Sequence, residues 1–94
     1  MKIELSAYDK EFIIKILQNT SAQRAVDRLQ LSSTMHAENE DYIECELAID
    51  EVEDLIGELS YETNHNRKKS IAQQACDIAD SLENQLWDAK QAQS

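Results

Sequence analysis

A chain of 94 residues with a formal charge of -10, one Gly, no Pro and 41% hydrophobic content reads as one small domain of long helices with few tight turns. The negative balance argues against direct nucleic-acid binding, where Lys and Arg must meet phosphates, and against docking on anionic membranes. No apolar run approaches the ~20 residues of a transmembrane helix, and Met1–Leu5 is too short and too acidic for a signal peptide.

Met1 to Leu5 alternates weakly, as a short strand or an extended lead-in. Ser6 followed by Asp9 is a capping box that opens a first helix over about 7–29. Tyr8, Phe12, Ile13, Ile16 and Leu17 form its apolar face. Asn19-Thr20-Ser21 interrupts the pattern as a break or a kink, and Ala22, Ala25, Val26 and Leu29 resume it. Lys10, Lys15, Arg24 and Arg28 are available to face an acidic neighbour. Gln30 to Thr34 reads as a loop, with Ser33 or Thr34 capping the second helix.

The stretch Ala37 to Glu62 carries eleven acids and no Lys or Arg, so everything outside it sums to about +1. Tyr42, Cys45, Ile49, Val52, Ile56 and Leu59 recur at steps of three and four, which predicts an acidic helix over about 36–62 with an apolar stripe. Gly57 inside it costs ~1 kcal/mol relative to Ala and suggests a close helix contact. Residues 63–69 contain no apolar side chain and suit a connection. Ser70 with Gln73 is a second capping-box candidate. Ile71, Ala75, Ile78, Leu82, Leu86 and Ala89 then predict a third helix over about 70–91. The expectation is an all-α bundle around an antiparallel hairpin, completed by homo-oligomerisation. One continuous helix from about 37 to 92 is the alternative. Cys45 and Cys76 fall on predicted helices, have no zinc spacing, and fit buried thiols of a cytoplasmic protein.

Glu51 and Asp54 lie three apart on the edge of the second stripe, and Gln74 and Asp77 occupy the matching edge of the third. Paired as a hairpin, these edges would meet in an oxygen-rich spot of the kind Mg²⁺ uses in phosphate chemistry. A solvated acidic face is the plainer reading of the same residues. His36 has no partner pattern, Glu62 with His65 is a single Glu-x-x-His, and Trp87 reads as a core or interface anchor.

The segment Glu46 to Ile56, a polar connection containing Asn66-Arg67, and Ile71 to Ile78 resemble the core of the MazG-like all-α nucleoside triphosphate pyrophosphohydrolases. The resemblance spans about forty residues. It implies a Mg²⁺ site from a Glu-x-x-Glu and a Glu-x-x-Asp pair, carried here by Glu51, Asp54, Gln74 and Asp77. Asp54 and Gln74 each replace a Glu of that pattern, and Gln74 removes a charge. The implied activity is hydrolysis of a nucleoside triphosphate to monophosphate and pyrophosphate, with Glu51, Asp54 and Asp77 in the catalytic role. Glu58, Glu44 or Asp80 would take the proton of the attacking water, and Arg67, Lys68 and Lys69 are candidates for phosphate contact. The alternative from another class is an acidic binding protein that imitates nucleic acid, in the manner of phage inhibitors of restriction or CRISPR enzymes, and occupies a basic protein partner.

Overall fold

The computed structural model describes residues 1–32, 34–35 and 41–93. Their order is β1 (Lys2–Ser6), α1 (Ala7–Ile16), α2 (Gln23–Ser32), β2 (Thr34–Met35), β3 (Tyr42–Glu46), α3 (Ile49–His65) and α4 (Lys69–Gln93). The chain is mostly helical, but it is not all-α. An antiparallel sheet of order β1-β3-β2 completes it.

The sheet overturns the acidic helix over 36–62. Residues 36–40 lie outside the described part, His36 among them, and 42–46 is strand; the helix begins only at Ile49. Tyr42-Ile43-Glu44-Cys45-Glu46 alternates with period two, so Ile43 and Cys45 are buried while Tyr42 and Glu46 are exposed. Its partner β1 alternates in phase, pairing Ile3 with Cys45 and Leu5 with Ile43. A strand buries these four side chains on one face, whereas a helix through the same residues would leave Ile3 and Leu5 without an apolar partner.

The first predicted helix is two. Leu17 closes α1, its N–H bonded to the Ile13 carbonyl, and Asn19 takes a left-handed φ of 64°. That conformation is easier for Asn than for most non-glycine residues. Thr20 Oγ1 donates to the Leu17 carbonyl and accepts from Ala22 N–H, stitching the turn to α2. At the other end, Ser6 Oγ accepts from Asp9 N–H at 3.0 Å, as the capping box requires. Neither Ser70 nor Thr34 occupies the position just before a helix. Ser70 lies inside α4, which starts a residue earlier, and Thr34 lies in β2; Ser33 is outside the described residues.

α3 and α4 form the antiparallel hairpin, separated by residues 66–68. Asn66 leaves helical geometry (φ -77°, ψ 129°), and its Oδ1 accepts from Lys68 N–H, so no continuous helix runs from 37 to 92. Val52, Leu55 and Leu59 meet Ala75, Ile78 and Leu82 in one core shared with Ile13, Leu17, Val26 and Leu29 and with the inner face of the sheet. Gly57 marks no close contact. It is exposed, and a Cβ built there meets nothing within 4 Å.

Candidate functional site

The Glu51 carboxylate is buried at the start of α3. Ala48, the N-cap, has no side-chain acceptor, so only the reciprocal half of a capping box exists: Glu51 Oε1 accepts from Ala48 N–H at 2.9 Å. Its other oxygen lies 3.0 Å from Arg28 Nε on α2. One turn along, Arg24 lies 3.3 Å from Asp50 Oδ2 and 3.7 Å from Asp54 Oδ2. The basic residues of α2 therefore do face the acidic helix, and they neutralise its near side. Among the described residues, the ion pairs to α3 come from Arg24 and Arg28, not from Lys10 or Lys15.

Gln74 and Asp77 belong to different surroundings. Gln74 Nε2 donates to Asp9 Oδ1 of α1 at 3.3 Å, and Asp77 is exposed and accepts from Gln73 Nε2 at 3.0 Å. The short connection sets this separation. Counting outward from residue 67, Glu51 is sixteen residues along α3 and Gln74 seven along α4. The nine-residue mismatch corresponds to ~13 Å along the hairpin axis. The helical angles put each pair on an edge, but the loop length sets Glu51 and Gln74 at different levels, whereas Asp54 and Asp77, thirteen and ten residues out, differ by only ~4–5 Å. The position of the polar connection carries that signal in the sequence itself.

Glu51 and Asp54 are engaged by guanidinium groups and are not poised as open ligands. Both Glu51 oxygens are committed to an N–H and a guanidinium, and Arg24 stands beside Asp54, so a divalent cation would meet fixed positive charge. Among the described residues no three His, Cys, Asp or Glu side chains are grouped as ligands. Glu62 accepts from Asn66 Nδ2, and His65 stacks on Tyr61, so the Glu-x-x-His pair has other partners.

Neither thiol is poised as a nucleophile. Burial pushes the Cys45 thiol up, and the Asp80 carboxylate, followed by partial burial and by Asp77 and Glu83, pushes up Cys76. Both are free.

The remaining carboxylates form an outward surface. Glu53 on α3 and Asp80 on α4 turn away from the core at ~100° per residue, and Asp77 and Glu83 flank Asp80. All four are exposed, and none has a cationic partner among the described residues. The Asp80, Asp77 and Glu83 carboxylates lie close enough to Cys76 to push its thiol up. A groove of about 590 Å³ lies on another side, between β1 and the second half of α4, with Lys2, Glu4, Tyr42, Gln85 and Asp88 along it. It brings together no set of groups suited to catalysis.

No family model, curated protein or solved structure matches the chain.

Proposed function

We propose that this chain is a non-catalytic binding protein that presents the acidic outer side of its α3–α4 hairpin to a basic surface of a protein partner, in the place of nucleic-acid phosphates. The observation that carries the reading is the division of charge. Arg24 and Arg28 are spent on Asp50, Asp54 and Glu51 at the α2–α3 seam, while Glu53, Asp77, Asp80 and Glu83 face solvent without a cation among the described residues. Uncompensated charge of one sign on a rigid two-helix support steers association and favours an oppositely charged partner. Two unbridged thiols suit a reducing compartment such as the cytoplasm. No described helix is long and apolar enough to cross a membrane.

The test uses poly-lysine as the basic probe and double-stranded DNA as competitor. Binding is expected to weaken steeply with added salt, to be displaced by DNA, and to drop at least several-fold in the triple variant Glu53→Gln/Asp77→Asn/Asp80→Asn. Equal affinity of the variant and the parent chain would sink the reading. The hydrolase reading rests on the order of the two i, i+3 pairs and has its own assay. Incubation with a panel of nucleoside triphosphates and Mg²⁺ is expected to release no pyrophosphate, and steady release abolished by Glu51→Gln would reinstate it.

A further inference from the structure

Two features at opposite ends of α4 have no role in the acidic face. The first is a groove of about 270 Å³ between α1 and the start of α4. Tyr8, Phe12 and Ile16 from α1 and Ile71 from α4 supply its apolar wall, and Lys15 and Ser70 border it. Tyr8 is 73% exposed although it heads this stripe. Lys68 and Lys69, immediately before Ser70, are exposed and, like Lys15, pair with no carboxylate among the described residues. The groove therefore runs from an aromatic end to a basic end. Its volume lies just below the ~300–1,000 Å³ of small-molecule pockets, a size suited to one large side chain.

The second feature is Trp87, 65% exposed on the last third of α4. Asp80 and Glu83 stand seven and four residues before it, so all three share one exposed stripe. Tyr8 and Lys15 are also seven residues apart, so the aromatic-to-charge spacing is ~10 Å on both elements. One element ends in cations and the other in carboxylates. At ~100° per residue the Trp87 stripe lies on the side of α4 away from Gln74, which lines the groove. A single copy cannot satisfy its own groove with its own stripe.

From this match in spacing, aromatic content and charge we infer that the chain assembles head to tail, the Asp80–Glu83–Trp87 stripe of one copy seating in the α1–α4 groove of the next. Trp87 fills the apolar part, and the two carboxylates meet Lys15, Lys68 and Lys69. A buried Trp is the residue type that most often dominates an interface. The contact is heterologous, so copies add in an open series or close into a ring. Long-range repulsion between copies of charge -10 is screened at physiological salt, where the Debye length is ~8 Å, and the local pairing survives at contact distance. This contact needs no basic partner, and the proposed partner would compete with it for Asp80 and Glu83.

Sedimentation velocity at physiological salt, from micromolar to millimolar protein, tests it. The weight-average mass is expected to rise beyond twice the 10.8 kDa of one chain. Trp87→Ala removes the stripe and Tyr8→Ala/Lys15→Glu removes the groove; all three positions are exposed, so both variants should fold, as circular dichroism would verify. Each alone should remain a monomer. Mixed, they retain one intact groove and one intact stripe and should form a species of twice the monomer mass and no larger. Because Trp87 is the only tryptophan, emission in the mixture comes from the groove variant alone and should shift to the blue on mixing. A monomeric parent chain at every concentration, assembly by either variant alone, or failure of the mixture to pair would each overturn the inference.

Discussion

The side-chain amide of Gln85 is bonded to both peptide groups of Glu4, its Oε1 accepting from Glu4 N–H at 2.8 Å and its Nε2 donating to the Glu4 carbonyl at 3.0 Å. Met1 and Leu47 exchange both main-chain bonds, and Ala7 N–H reaches the Asp41 carbonyl, so the odd residues of β1 face β3. The even residues turn their peptide groups to the outer edge. Gln85 stands there as a one-residue substitute for a missing strand, and the helix that carries it covers the edge, a device that blocks edge-to-edge pairing.

Replacing Gln85 with Ala is expected to cost about 1 kcal/mol, the net worth of solvent-accessible hydrogen bonds. Amide exchange at Glu4 should accelerate alongside a lower urea midpoint. Gln85→Glu should cost more, because it loses the donor and sets a second carboxylate near Glu4. Unchanged exchange at Glu4 in the Ala variant would show that the bond protects nothing.

Glu51 and Arg28 are unequal partners, and the inequality predicts an asymmetry. The Glu51 side chain is 4% exposed and that of Arg28 55%, so only the carboxylate depends on the pair for solvation. Arg28→Ala leaves a buried carboxylate with one N–H and should cost about 3 kcal/mol. Glu51→Gln keeps the bond to Ala48 N–H and lets Arg28 turn to water, so about 1 kcal/mol is expected. Urea titrations of the two variants decide the order. Added Mg²⁺ should leave the Tm of the parent chain unchanged.

Gly57→Ala should stabilise the protein by about 1 kcal/mol, the full propensity difference in a helix interior. The new methyl meets nothing within 4 Å, so no packing term offsets the gain. For a domain of this size the Tm should rise by ~4–8 °C per kcal/mol. A fall in Tm on thermal denaturation would contradict the open space around the position.

Alkylation of Cys76 reports the acidic field of α4. The Asp80 carboxylate, first among its causes, raises the thiol above its ordinary range, so the thiolate fraction at mildly alkaline pH is lowered. Asp80→Asn removes that charge, brings the pKa down, and should speed iodoacetamide modification at fixed pH. The pH–rate curve should move to lower pH, with Cys45 kept as the slow, buried reference. An unshifted curve would mean that Asp80 does not act on the thiol.

Several elements were legible because their determinants are local. Ser6 lies three residues from Asp9, and the Ile71–Ala75–Ile78–Leu82 stripe repeats within one segment, so the α1 cap and α4 follow from spacing alone. The apolar faces of α3 and α4, joined by a polar connection, pointed to the hairpin, and the break at Asn66 removes the alternative of one continuous helix. Charge density was equally plain, as were the residues that carry it.

Tertiary structure decided whatever depends on a partner distant in the chain. Tyr42, Cys45 and Ile49 fit a helical spacing, while Ile43, Cys45 and Leu47 fit a strand, and a short apolar run supports either period. Pairing with β1, some forty residues earlier, selects the strand because Ile3 and Leu5 then share its buried face. The fate of the carboxylates was decided in the same way. Glu51 and Asp54 read as free ligands until α2 folds back and brings Arg28 and Arg24 against them. A carboxylate's role depends on the charge that packs beside it, and only the closed fold determines which charge that is.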